Sequence, residues 1–208
     1  MLPSALDLTS HLQPHDYHDT IIAHQTHVKH MKHVLRYLRG TKGLYIKYNR
    51  STNARLIRYS DSDWGENKDD RHSTSGHVFL MANRCISWAS QWQKTVALSV
   101  GEAEYMELAS TGWQAAWLKS ISGEVGFPIH EPIPLCVDNQ AVIFLMVNPT
   151  VKCQTKHIDI WHHYIQEQYD NRIVEPFHIP GEENPADLFT KSLPVVKVEQ
   201  FRSKIGLS

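Results

Sequence analysis

The stretch Pro134-Leu135-Cys136-Val137-Asp138-Asn139-Gln140-Ala141-Val142-Ile143-Phe144-Leu145-Met146-Val147 joins two apolar runs through one polar corner. Leu135 to Val137, led in by Pro132 and Pro134, reads as a buried strand ending at Asp138 and Asn139. Ala141 to Val147 reads as a short buried helix. Upstream, Ser99 opens a long helical window, and Glu102 three residues later completes a Ser-x-x-Glu capping box. That helix reaches Lys119 or beyond and ends before Gly126. Still earlier lie two strand candidates, His77 to Met81 and Cys85 to Trp88, and an expected hairpin of Leu44 to Tyr48 with Ala54 to Ser60. Downstream, Lys156 to Tyr169 reads as a helix, Ile173 to Ile179 as a strand, and Pro185 to Thr190 as a helix with proline at its start. Strands come first and later ones alternate with helices. This order predicts an α/β domain, a mixed sheet flanked by helices.

At the N-terminal side, Ile21, Val28, Met31, Leu35 and Leu38 recur at helical spacing and Gly40 follows, which predicts an amphipathic helix from Asp19. Its apolar stripe needs a cover, either the sheet of this chain or another domain. The chain divides into residues 1–50, a lead-in with the helix and a hairpin strand, residues 53–193, the main domain, and residues 194–208, a tail. With 208 residues it can bury on the order of 70% of its unfolded surface in one core. The 21 Lys and Arg against 22 Asp and Glu leave a net charge of −1, so any nucleic-acid role must come from local chemistry and not from a basic surface.

The longest apolar run, Ala141 to Val147, falls far short of the roughly 20 residues of a membrane helix. The first residues carry no basic region ahead of an apolar stretch, and an intracellular, unsecreted chain is expected. Cys85, Cys136 and Cys153 are too few and too widely spaced for a disulfide framework or a cysteine zinc site. The histidines His24, His27, His30 and His33 could pair at a spacing of three as metal ligands, but that spacing drifts round a helix, and a polar helix face is the preferred reading. The six tryptophans are too scattered for a stacking platform and are expected in the core, with Trp92 the one to test as a nucleic-acid contact.

Four acids stand where an element ends or looks inward: Asp61 after Leu-Ile-Arg-Tyr-Ser, Glu104 in the long helix, Asp138 after Leu-Cys-Val, and Asp187 in Asn-Pro-Ala-Asp. Residues beyond strand ends line the crevice of an open α/β sheet, so Asp61 and Asp138 share a pocket if their strands are neighbours. Gathered carboxylates repel one another, and hard divalent cations make such a cluster tolerable. A chain with 22 acids will also place some near element ends as solvated caps, so the positions alone are weak.

The words around them are more specific. Arg-Tyr-Leu-Arg-Gly-Thr (36–41), Tyr-Ser-Asp-Ser-Asp-Trp (59–64), Asp-Arg-His-Ser-Thr-Ser-Gly (70–76), Ile-Ser-Trp (86–88), Thr-Val-Ala-Leu-Ser (95–99), Glu-Ala-Glu-Tyr (102–105), Val-Asp-Asn-Gln (137–140), Thr-Lys-His-Ile-Asp-Ile (155–160) and Asn-Pro-Ala-Asp-Leu-Phe-Thr-Lys (184–191) resemble, in order and spacing, the ribonuclease H region of copia-type retrotransposon Pol polyproteins. The resemblance implies a ribonuclease H-like fold with a mixed five-stranded sheet and an N-terminal connection helix. It implies an endonuclease that cuts the RNA strand of an RNA–DNA hybrid during reverse transcription, in a cytoplasmic particle or the nucleus. Its two-metal site would take Mg²⁺, with Mn²⁺ as a substitute. By this resemblance Asp61 bridges the two ions, Asp138 joins it on the water-activating ion, Glu104 binds the other near the 2′-hydroxyl, and Asp187 completes the outer coordination. Asn139, Gln140 and Lys94 would contact the hybrid, and Asp63 and Asp159 are the substitutes if an acid is misplaced by a position.

The Tyr-x-Asp-Asp motif of the polymerase is missing, so a polymerase domain would be a partner in trans. Three features depart from the family pattern, the first being Gly101, where relatives commonly have Thr or another side chain. Ala89 to Lys94 keeps a single basic residue, and Gly181-Glu182-Glu183 fills the loop where many cellular ribonucleases H place a mobile histidine, with His178 back in the preceding strand. The rival reading is an inactive remnant that binds hybrid or a polymerase partner. Another nuclease or a strand-transfer enzyme on the same fold fits the flanking words less well.

Overall fold

The computed structural model describes residues 25–49, 55–64, 72–94, 96–97, 99–148 and 156–208, with the side chains of 25–27, 156–160 and 162 left aside. His11, His15, His18 and His24 lie outside these residues, as do Cys153 and the 65–71 part of the sequence words. Five strands form one mixed sheet: β1 (Leu56–Ser62), β2 (Thr74–Met81), β3 (Arg84–Trp92), β4 (Ile133–Val137) and β5 (Val174–His178), in the order β3-β2-β1-β4-β5. The first three run antiparallel, and β1, β4 and β5 run parallel. Ala82 and Asn83, both at positive φ, make the tight β2–β3 turn. The predicted α/β class and mixed sheet are what the chain adopts.

Helices α2 (Val100–Glu124), α3 (Gln140–Val147) and α4 (Lys156–Asp170) cover one face of the sheet. Ser99 caps α2 as its sequence predicts, its hydroxyl accepting from Glu102 N at 3.1 Å. Asn139 caps α3 by accepting from Ala141 N at 2.9 Å. Leu56, Phe79, Ile133, Leu135 and Val137 from alternate strand positions meet Leu108, Ala109, Ala115, Val142, Met146 and Ile165 from these helices. The opposite face carries a smaller core of Val78, Leu80, Cys85 and Ile205.

Three expectations are corrected. Leu44 to Tyr48 makes no hairpin with β1. Instead Ile46 bridges Leu207, and Tyr45 and Ser208 exchange both backbone hydrogen bonds at 2.9 and 3.1 Å. The run is apolar enough for a strand, but its partner lies at the far end of the sequence. Second, residues 194–208 are no loose tail. They contain α5 (Val195–Lys204), whose Phe201 is fully buried, while Ile205 O accepts from Cys85 N at 2.9 Å.

The third correction concerns tryptophan. Trp64, Trp88, Trp92, Trp113, Trp117 and Trp161 are all exposed. The space between sheet and helices is taken by Phe79, Tyr105 and aliphatic side chains, and Trp113 and Trp117 fall on the outer side of α2, away from Leu108, Ala109 and Ala115. Helix α1 (Gln25–Gly40) likewise leaves its stripe uncovered, with Val28, Met31, Leu35 and Leu38 all exposed. Among the described residues no helix is long and apolar enough to cross a membrane.

These placements separate two kinds of apolar residue. Phe201→Ala should cost about 3–5 kcal/mol of folding stability, the range for truncating a buried aromatic. Leu35→Ala should stay within about 0.5 kcal/mol, as for other exposed positions. Equilibrium urea unfolding of both variants checks this, and equal losses would place α1 against the core.

Candidate active site

Strand β1 sits at the centre of the sheet and runs parallel to β4, with Arg58 opposite Leu135 and Tyr59 opposite Cys136. Continuing that register brings Asp61 level with Asp138, the residue just beyond β4. Both acids therefore stand at the same carboxyl ends of neighbouring strands, where ligands of open α/β sheets bind. Glu104 reaches this corner from the first turns of α2, and Asp187 from the 3-10 turn Pro185–Phe189. The charges of Asp61 and Asp138 act on Glu104 and on Asp187, and that of Asp61 acts on Asp138, as near neighbours do.

Polar pins hold these elements in place. The buried Gln93 amide donates to Ser62 Oγ at 3.1 Å, Ser75 Oγ at 2.9 Å and Ala103 O at 2.7 Å, tying β1, β2 and the start of α2 beside Glu104. The buried Asn184 donates to Ser60 O at 2.8 Å and accepts from Ala186 N at 3.1 Å, which fixes the Pro185–Phe189 turn against β1. Gly76, opposite Asp61 on β2, lets that turn approach: a Cβ there would lie 2.6 Å from Thr190 Cγ2 and 2.8 Å from Phe189 Cβ. Beneath the acids, Arg58 of β1 lies 3.6 Å from the Glu107 carboxylate, which also meets His77 Nδ1 at 2.9 Å, and all three residues are buried. Burial pushes Arg58 down to about 10 despite the opposing charge of Glu107.

The site's electrostatics follow from crowding. Burial first, then the charge of Asp138, pushes Glu104 up to about 7, with the Asn139 amide offsetting part of the rise. Burial and the charge of Asp61 raise Asp138. Burial raises Asp187 in spite of its hydrogen bond from Lys191. Lys191 donates to Asp187 Oδ1 at 2.9 Å and to Asp61 Oδ1 at 3.2 Å, with Asp61 Oδ2 at 3.1 Å. Burial pulls its ammonium down, but Asp61 and Asp187 outweigh that and hold it above the ordinary lysine value. The Thr190 hydroxyl also donates to Asp61 Oδ2.

The donor set suits a hard divalent cation: four carboxylates, one of them with an oxygen, Glu104 Oε2, buried and without a hydrogen-bond partner. Gly181 keeps the floor open, since a Cβ there would lie 3.1 Å from Asp138 Oδ2. Among the described residues no three His, Cys, Asp or Glu side chains already form a tight ion cage. The Lys191 ammonium stands between two of the four acids.

Asn139 and Gln140 open α3 beside Asp138, and Lys94 is exposed just past β3. Asp63 is engaged in holding the sheet together, since its carboxylate accepts from Thr74 N and its own N–H donates to Thr74 O at 3.0 Å, clamping β1 to β2. The side chain of Asp159 lies outside the described set. His178 stands nearer the site than its strand position suggests, with Nε2 3.2 Å from Asp138 O. Thr190 and Lys191 close the Asn-Pro-Ala-Asp-Leu-Phe-Thr-Lys word, which by itself gives them no role, and the spacing of four from Asp187 to Lys191 is the available signal. Gln93 and Asn184 carry no such signal in sequence.

No protein-family model matches the chain. The retrovirus-related Pol polyprotein from transposon TNT 1-94 of Nicotiana tabacum is 38% identical over 171 residues, 82% of this chain and 13% of that polyprotein. The one from transposon RE1 of Arabidopsis thaliana is 34% identical over 184 residues, 88% of this chain and 13% of the polyprotein. The chain is a relative of one segment of the copia-type retrotransposon Pol polyproteins. It spans 13% of the length of these two relatives. Among solved structures, LC11-RNase H1, isolated from compost, superimposes with a TM-score of 0.50 at 17% identity, covering 66% of this chain and 93% of that one. The copia-type segment thus has the ribonuclease H-like fold that its sequence words implied.

Two outcomes are expected. Gly76→Ala should cost about 1–3 kcal/mol, the usual range for overpacking, because backbone and Cβ atoms of the Asp187 turn must retreat. A thermal melt measures it. For Glu104, a raised folded-state value means that the folded chain holds more protons than the unfolded one between about pH 4.5 and about 7. Stability of the metal-free chain therefore falls as pH rises through that window. Glu104→Gln should be the more stable form at pH 8, by about 1 kcal/mol once solvent screening is allowed for, and the gain should vanish below about pH 4. Melts across pH in a chelator test the sign.

Proposed function

We propose that this segment is a ribonuclease H that hydrolyses the RNA strand of RNA–DNA hybrids in retrotransposon reverse transcription, using two divalent ions held by Asp61, Glu104, Asp138 and Asp187. The observation that carries this reading is the meeting of four carboxylates at the carboxyl ends of β1 and β4, on a ribonuclease H-like fold. Such an array is costly without cations, in keeping with the raised Glu104, Asp138 and Asp187. Mg²⁺ or Mn²⁺ held there would supply the charge that activates water and stabilises the leaving oxygen.

The chain's own groups supply the rest. Asn139 and Gln140, at the start of α3 beside Asp138, would contact the hybrid, and Glu104 would read the 2′-hydroxyl that only RNA carries. Lys94 offers a phosphate contact at the end of β3. The exposed stripe of α1 supports a polymerase domain as partner, which fits a protein working in a cytoplasmic particle or the nucleus. One observation favours the second reading, a remnant that binds hybrid without cutting it: the Lys191 ammonium sits between Asp61 and Asp187.

Labelled hybrid with Mg²⁺, with Mn²⁺ and with chelator decides between them. The expected result is metal-dependent cleavage of the RNA strand, none of duplex DNA, and loss of at least about 10²–10³-fold in Asp138→Asn. That variant should melt no lower than the wild type, since Asp138 is held by no ion pair among the described contacts. Binding without cleavage at any metal concentration would select the remnant.

A further inference from the structure

Lys191 lies in the turn that follows Pro185–Phe189, and its ammonium touches two of the four acids at once, 2.9 Å from Asp187 Oδ1 and 3.1 Å from Asp61 Oδ2. Its described side-chain partners are these two carboxylates. They differ in how firmly they are otherwise held. Asp61 also accepts from Thr190, which is buried, so Asp61 stays in place without the lysine. Lys191 itself is 39% exposed at its side chain and hangs from a flexible four-carbon stem. The tether is on Asp61 and the mobility is on the lysine.

An ion such as Mg²⁺ binds carboxylate oxygens at about 2.0–2.1 Å. An ion shared by Asp61 and Asp187 would lie among the oxygens that now surround the ammonium. Two cations cannot occupy that gap together, and a dipositive ion attracts the pair more strongly than one ammonium does. We propose that Lys191 is a displaceable internal counter-ion: it neutralises the Asp61–Asp187 corner while the site is free of metal and swings out when a divalent ion takes that corner. It thereby sets the affinity of the corner for metal. The inference rests on the reading of these acids as metal ligands, and it explains why a bound lysine is compatible with an active enzyme.

The test uses the full chain. Mn²⁺ and Mg²⁺ are titrated calorimetrically into wild type, Lys191→Met and Lys191→Arg at neutral pH. In parallel, the wild type is briefly acetylated in chelator and in saturating Mn²⁺, and modification of Lys191 is read by mass spectrometry against the exposed Lys42 and Lys47. Lys191→Met should bind Mn²⁺ about five- to tenfold more tightly than wild type, and Lys191→Arg no more tightly. Wild-type Lys191 should be labelled at least about fivefold faster with Mn²⁺ present, the controls unchanged. Metal binding with Lys191 still protected, or with no gain in Lys191→Met, would overturn the counter-ion role and leave the metal site standing. Absence of metal binding in every form would overturn the site itself. Should Lys191→Met fail to fold, the wild-type labelling still decides.

Discussion

Burial of acids at one corner of the sheet is the constraint that this domain has to meet. Asp61 and Asp138 are brought level by the parallel pairing of β1 with β4, and Glu104 and Asp187 close on them from two other elements. Left alone, four charges so placed would push the elements apart. One internal cation, Lys191, lies against two of the acids, and burial first, with the charges of neighbouring acids adding to it, raises the proton affinity of Glu104, Asp138 and Asp187. A site of this kind trades stability for function, since what would relieve it is a ligand and not the protein.

Uncharged contacts resist the repulsion. Gln93 links three elements through buried hydrogen bonds, Asn184 fixes a turn to the central strand, and Gly76 allows that turn to sit directly on the sheet. None of these groups carries charge, so the acids can be held without being quenched. Below them the buried Arg58, Glu107 and His77 form a second polar layer, with Arg58 Nε, Arg58 Nη1 and His77 Nε2 left without hydrogen-bond partners. An incompletely satisfied polar core of this kind favours one packing over its alternatives more than it adds stability.

Local signals are readable in the sequence and long-range ones are not. The capping box at Ser99, the strand Leu135 to Val137 and the helix after it depend on neighbours a few residues away, and they form where their residues predict. The four acids can be chosen because each stands in a specific word, and two of them, Asp61 and Asp138, stand level at the ends of neighbouring strands. What escapes reading depends on partners far along the chain. Ile46 finds Leu207, Asn184 finds Ser60, and Lys191 finds Asp61, pairings that periodicity does not encode. The tryptophans mislead because large apolar area suggests burial, while the core between sheet and helices is already filled by Phe79, Tyr105 and aliphatic side chains.

The bridge between Ile46 and Leu207, with Ile205 seated in the smaller core, bears on how this chain is born. On a ribosome β1 to β3 emerge before the residues that cover one face of them, and Val78, Leu80 and Cys85 wait for Leu188, Phe189 and Ile205. Contacts so distant in sequence close late and slowly. During that interval the nascent chain presents an apolar surface that a chaperone could cover or a neighbouring nascent chain could stick to. The final turn of helix therefore acts as the latch of folding, and a message cut short before it would release a half-covered sheet with all its acids already translated.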